Sequence, residues 1–158
     1  MHRYNFEYFP KFFEPEGQEY WGNVKEEFIE KYGDDINKAN EKIAQDLGVS
    51  GNVVLFVRQF HFGKACIYKH DEDFITKIIN YADWRVDPHG VVSYESRMEE
   101  ATKRYKRNKG KEEERERLIT CGKELEKQIF AKCKIKPEDI NDETVAPIIS
   151  KLKDFVIK

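Results

Sequence analysis

In segment after segment of this chain, apolar residues return at three- and four-residue steps. That is the helical period, and a chain that keeps it almost throughout is restricted to helices packed on helices. Pro15 opens the first pattern, which carries Tyr20, Trp21, Val24, Phe28 and Ile29 on one stripe and stops at Gly33 and two aspartates. Ile36, Ala39, Ile43, Ala44 and Leu47 form the second stripe, with Gly48 as its C-cap. Ser50 is placed to N-cap "GNVVLFVRQF". The run Val53 to Val57 has strand propensity, but no second strand is available to pair with it, so it is read as a buried helix.

Gly63 marks a break. The segment "DEDFITKIINYADWRV" then reads as a strong helix, with acids in its first turn and Phe74, Ile75, Ile78, Ile79 and Ala82 on the expected core face. "DPHG" is a turn, and Ser93 caps the helix "YESRMEEATKRYKR". After the break "NKGK" comes a long charged segment that turns amphipathic through Leu118, Ile119, Leu125, Ile129 and Phe130. The last helix expects Val145, Ile148, Ile149, Leu152, Phe155 and Val156 on its buried side. The lead before Pro15 is irregular and dense in aromatics, from Phe6 to Phe13, with Pro10 among them. The expected fold is all-α, a helical bundle of six or seven helices.

Composition bounds the function classes. Charged residues are 37% and apolar residues 39% of the 158-residue chain, the balance of many helices with one wet face. The net charge of −2, from 28 basic and 30 acidic residues, provides no global field toward DNA or an acidic membrane. No apolar stretch approaches the roughly 20 residues of a membrane span. Three scattered cysteines without a CxxC pair predict reduced thiols and a cytoplasmic location. Cys66 reads as a small core residue rather than a nucleophile. The basic run Lys103–Lys111 offers nucleic acid a contact, but Glu112, Glu113, Glu114 and Glu116 follow at once, which makes a solvated face the better reading.

Within "YADWRV", one acid interrupts an apolar run. A carboxylate there is costly unless it is paired or binds a cation. The stretch "IINYADWRVDPHGVVSYESRMEEATKRY" resembles the last motif region of HD-domain metal-dependent phosphohydrolases. In that superfamily a helix with a "YADxRV"-like string supplies the final aspartate of a His…His-Asp…Asp metal site, and a capped "VSLEER"-like helix follows. The resemblance implies an HD-like helical domain over residues 1–108, lacking its first helices, and a C-terminal helical extension over 109–158 packed on it. It makes Asp83 a metal ligand by position, toward the divalent Mn, Fe or Mg that intact relatives bind.

The dipeptide His70–Asp71 is a literal His-Asp pair, but it lies at the start of the helix that carries Asp83. Twelve helical residues span about 18 Å, so the two could not share one ion. The early histidine and the His-Asp motif are therefore missing, and no metal is expected on this chain alone. Around Asp83, Arg58, Lys64 and Arg85 are candidate ligands for a phosphorylated small molecule or nucleotide, and His61 is a candidate to hold a metal ligand in place from behind. The structural alternatives are salt bridges for these cations and packing for His61; His89 belongs to the turn. The resulting expectation is a truncated, HD-like phosphohydrolase relative that is inactive alone. It would need a complementing chain for catalysis, and it would self-associate through the faces that absent helices leave bare. The alternative is a non-catalytic all-α binding or interaction module, in contact with nucleic acid through Lys103–Lys111.

Overall fold

The computed structural model describes residues 14–104 and 110–152, and the fold there is all-α, with one two-stranded sheet. The described residues fall into two compact units, divided between Phe60 and His61.

In the first unit, α1 spans Gly17–Tyr32, α2 Ile36–Asp46 and α3 Gly51–Gln59. Asp35 caps α2 by accepting the N–H groups of Asn37 at 3.0 Å and Lys38 at 3.2 Å. Helix α2 packs against α3 and α1, and the buried residues of α2 and α3 are Ala39, Ala44 and Val54. The expectation that α3 is a buried helix is corrected: Val54 is its one buried residue, while Val53 and Leu55 are exposed. A helix packed on one neighbour has room for a single covered stripe.

In the second unit, a 3-10 turn (Phe62–Lys64) leads into the short α4 (Ala65–Tyr68). Then follow α5 (Phe74–Asp83), the antiparallel strands β1 (Val86–Asp87) and β2 (Gly90–Val91), α6 (Tyr94–Arg104), α7 (Glu112–Phe130) and α8 (Asp142–Leu152). Among the described residues there are eight α-helices, and the four-residue α4 escaped the expected six or seven because it is barely one turn, too short for the apolar pattern to repeat. Helix α7 is the spine. Its Leu118, Cys121, Leu125 and Ile129 meet Ala65, Tyr68, Tyr81, Trp84, Tyr94 and Met98 in one core. Gly122 gives the Tyr94 ring room to lie against the α7 backbone, since any side chain there would collide with it. The Tyr94 hydroxyl donates to the Ile119 carbonyl at 3.0 Å.

Three expectations are corrected in this unit. Helix α5 is rotated: Thr76, Lys77, Asn80 and Tyr81 are buried, whereas Ile75 and Ile78 are 57% and 50% exposed. The residues at 77, 81, 84 and 85 make a second stripe, whose two large aromatics bury more area than the isoleucines would. The polar residues on this inner face are matched. Lys77 Nζ donates to Gln128 Oε1 at 2.6 Å and to the Lys69 carbonyl at 3.3 Å. Asn80 bonds the Thr76 carbonyl and the His61 N–H. Helix α8 carries no buried residue, and its expected core positions Ile148, Ile149 and Leu152 are exposed; Phe155 and Val156 lie outside the described residues, as do Phe6 to Phe13. Finally, Cys66 and Cys121 are joined in a disulfide rather than held as reduced thiols.

Candidate functional site

The motif "YADWRV" spans the end of α5 and the start of β1. Its aspartate and its arginine part company there. Asp83, the last residue of α5, is exposed, so the acid in the apolar run sits on the wet side of the helix. Trp84 and Arg85 turn inward and are 3% and 4% exposed.

Arg85 works as a clamp. Its Nε donates to the Val92 carbonyl at 2.6 Å, and Nη1 donates to the Tyr81 hydroxyl at 2.6 Å. Its Nη2 donates to the carbonyls of Pro137 at 3.1 Å and Ile140 at 2.7 Å. Four of its five N–H donors are thus spent on the chain itself. The Tyr81 hydroxyl passes its own hydrogen bond to the Glu126 carboxylate. Burial, together with that carboxylate, pushes the Tyr81 hydroxyl well above the ordinary tyrosine range, against a smaller pull from Arg85.

The hairpin beyond Arg85 is held from both sides. Asp87 Oδ1 accepts the N–H groups of His89 at 2.7 Å and Gly90 at 3.0 Å, closing the "DPHG" turn. Gly90 has a positive φ of 144°, and the Asp142 carboxylate occupies the space a side chain would need. Asp142 in turn accepts the Val91 N–H at 2.8 Å, so α8 is anchored at its first turn. Ser93 Oγ accepts the Ser96 N–H at 3.1 Å and opens α6.

The other expected site residues have separate duties. Arg58, in the first unit, pairs with Glu41 through both ends of its guanidinium, and this pairing holds the Glu41 carboxyl below its ordinary range. Lys64 is exposed at the end of the 3-10 turn. His61 is exposed, and its Nδ1 accepts the Gly63 N–H at 3.0 Å, which makes it the cap of that turn. His70 precedes the N-terminus of α5 and Asp83 ends it, so the ten residues of α5, about 15 Å, separate them. Among the described residues, no three His, Cys, Asp or Glu side chains come together as ion ligands. The donor set at Asp83 thus does not fit the divalent metal that the HD resemblance implies. Of the basic stretch Lys103–Lys111, residues 105–109 lie outside the described residues, and Arg104 is half-buried against Glu100 at 2.6 Å.

Two features had no sequence signal. Lys77 is buried and, among the described residues, has no carboxylate partner, which nothing in "FITKIINYA" betrays. On α6, Arg97 and Arg104 share the single Glu100 oxygen Oε2, at 2.7 and 2.6 Å; the i, i+3 and i+4 spacings were legible, but their partial burial was not. No described helix is long and apolar enough to cross a membrane. In comparisons with known proteins, no family model matches the chain, and neither a curated protein nor a solved structure matches it.

Proposed function

We propose that this chain is an interaction module that self-associates through the outer faces of α5 and α8. The observation that carries the reading is the bare apolar stripe on α5. Ile75 and Ile78 are exposed there at helical spacing, with half-buried Ile79 beside them. Helix α8 offers a matching stripe of Ile148, Ile149 and Leu152, exposed at 56%, 49% and 61%. Monomers rarely leave contiguous apolar patches of this kind uncovered.

A second copy of the chain suits both stripes at once. The Arg85 bond to Ile140 places the start of α8 beside the end of α5. In a two-fold pair, α8 of each copy could then lie on α5 of the other, giving an isologous interface. Charge supports the same occupant: Asp83 flanks the α5 stripe four residues after Ile79, and Lys151 flanks the α8 stripe three residues after Ile148. A cytoplasmic location belongs to this reading.

A second reading keeps the relation to HD-domain phosphohydrolases. It is supported by the order of a helix bearing "YADWRV", a tight hairpin and a serine-capped helix. On that reading, hydrolysis of a phosphate ester or nucleotide would need metal ligands from a complementing chain. Sedimentation equilibrium tests the first reading. The self-association reading expects a concentration-dependent dimer in the parent and a monomer in Ile78→Asp with unchanged helical content. A parent that stays monomeric at high concentration contradicts it.

A further inference from the structure

The disulfide joins the shortest helix of the second unit to its longest. Cys66 lies in the four-residue α4, and Cys121 lies near the middle of α7, with their Cα atoms 5.0 Å apart. The two sulfurs differ in access. Cys121 is 6% exposed within the core formed with Leu118, Leu125 and Tyr94. Cys66 is half-buried at the edge of that core, and its Sγ lies 3.8 Å from the Arg117 carbonyl at an exposed position.

We infer that Cys66–Cys121 is a reversible thiol-exchange site, entered at Cys66 by a low-molecular-weight thiol. The incoming thiolate forms a bond to Cys66 Sγ, and the bond to Cys121 breaks. Cys121 leaves as a thiolate and takes a proton from water, and its apolar surroundings favour the neutral thiol. A second thiol attacks the mixed disulfide at the small molecule's sulfur and releases Cys66. In sum, two small thiols become one disulfide, and the protein bond takes up their two electrons and two protons. The chain supplies an acceptor for the reduced Cys66 S–H in the Arg117 carbonyl.

The segment this site governs is well defined. Without the disulfide, α4 is held to α7 by the Lys69–Glu124 ion pair at 2.6 Å and by the burial of Ala65 and Tyr68. Helices α5, α6 and α7 retain their own packing through Tyr81, Tyr94, Met98 and Leu125. Opening the bond therefore loosens residues 62–68 and leaves the spine in place. Cys133 is exposed, stands beyond the end of α7 and takes no part.

The test uses the full chain as Cys133→Ser, oxidised and then incubated with reduced glutathione. Peptide mapping is expected to find the glutathionyl group on the Cys66 peptide and not on that of Cys121. Hydrogen exchange is expected to accelerate at residues 62–68 and to stay unchanged across α7. Glutathione attached first to Cys121, or opening of the bond with no change at 62–68, would overturn the inference, as would a chain whose two cysteines never join under oxidation. Because the bond is absent from both single variants, Cys66→Ser and Cys121→Ser in the same background give an independent arm. With oxidised glutathione, the chain that keeps Cys66 is expected to be modified and the chain that keeps Cys121 to resist; the reverse order contradicts the site.

Discussion

The Arg85 guanidinium reaches the Ile140 carbonyl at 2.7 Å, across fifty-five residues of sequence. That single bond ties the end of α5 to the start of α8, and the neighbouring bonds to Val92, Pro137 and Tyr81 make Arg85 the knot of the second unit. A residue whose guanidinium suggested a phosphate ligand donates to three backbone acceptors inside the protein. Replacing it with Met would keep much of the apolar stem and orphan those carbonyls. An orphaned buried group costs about 1–3 kcal/mol, and because these three carbonyls are only part-buried a loss near the lower end, about 3–5 kcal/mol in all, is expected in urea unfolding. A loss below about 1 kcal/mol would show that the clamp is dispensable.

Asp83 should tolerate neutral replacement. Its side chain is exposed at the helix end, so Asp83→Asn removes no buried ion pair and leaves the backbone unaltered. At concentrations where the parent is a monomer, thermal unfolding of parent and variant is expected to coincide, and added Mn²⁺ is expected to leave both where they are. Stabilisation of the parent by Mn²⁺ that Asp83→Asn cannot match would establish a metal ligand.

Alkali should expose the buried tyrosines late. Burial first, and nearby carboxylates second, push Tyr81 and Tyr94 well above the ordinary tyrosine range. For a group whose folded value is raised, stability is fully present below the unfolded value, about 10 for tyrosine, and falls as pH climbs toward the folded one. Absorbance titration should therefore show these two hydroxyls ionising only as the helices unfold, while exposed tyrosines ionise earlier. A single smooth tyrosine titration at about pH 10 with helicity intact would contradict the burial of this pair.

Much of the fold was legible because helical periodicity, caps and breakers are local. Gly33, Gly48, Ser93 and the "DPHG" turn all stand where their chemistry placed them. Which face of a helix is buried is decided by its neighbours, and there local reading failed. On α5 the isoleucines advertised one stripe, while Tyr81, Trp84 and Arg85 on another found α7, β2 and the carbonyls before α8. The puzzle of Asp83 dissolves with that rotation: it interrupts an apolar run only in sequence, and in space it borders the outer face. The cysteine pairing was invisible because fifty-five residues separate its members. Lys77 gave no sign either, since its partner Gln128 lies fifty-one residues on.

The central claim, that copies of this chain pair α5 with α8, is tested most directly by charge exchange across the proposed contact. Asp83→Lys alone sets lysine against Lys151 in both halves of a two-fold pair, and Lys151→Asp alone sets aspartate against Asp83. Each variant is expected to sediment as a monomer at concentrations where the parent is a dimer. Mixed in equal amounts, the two restore opposite charges at both contacts, and the mixture should recover the dimer mass. A mixture that stays monomeric, or two single variants that dimerise like the parent, would contradict the pairing of α5 with α8.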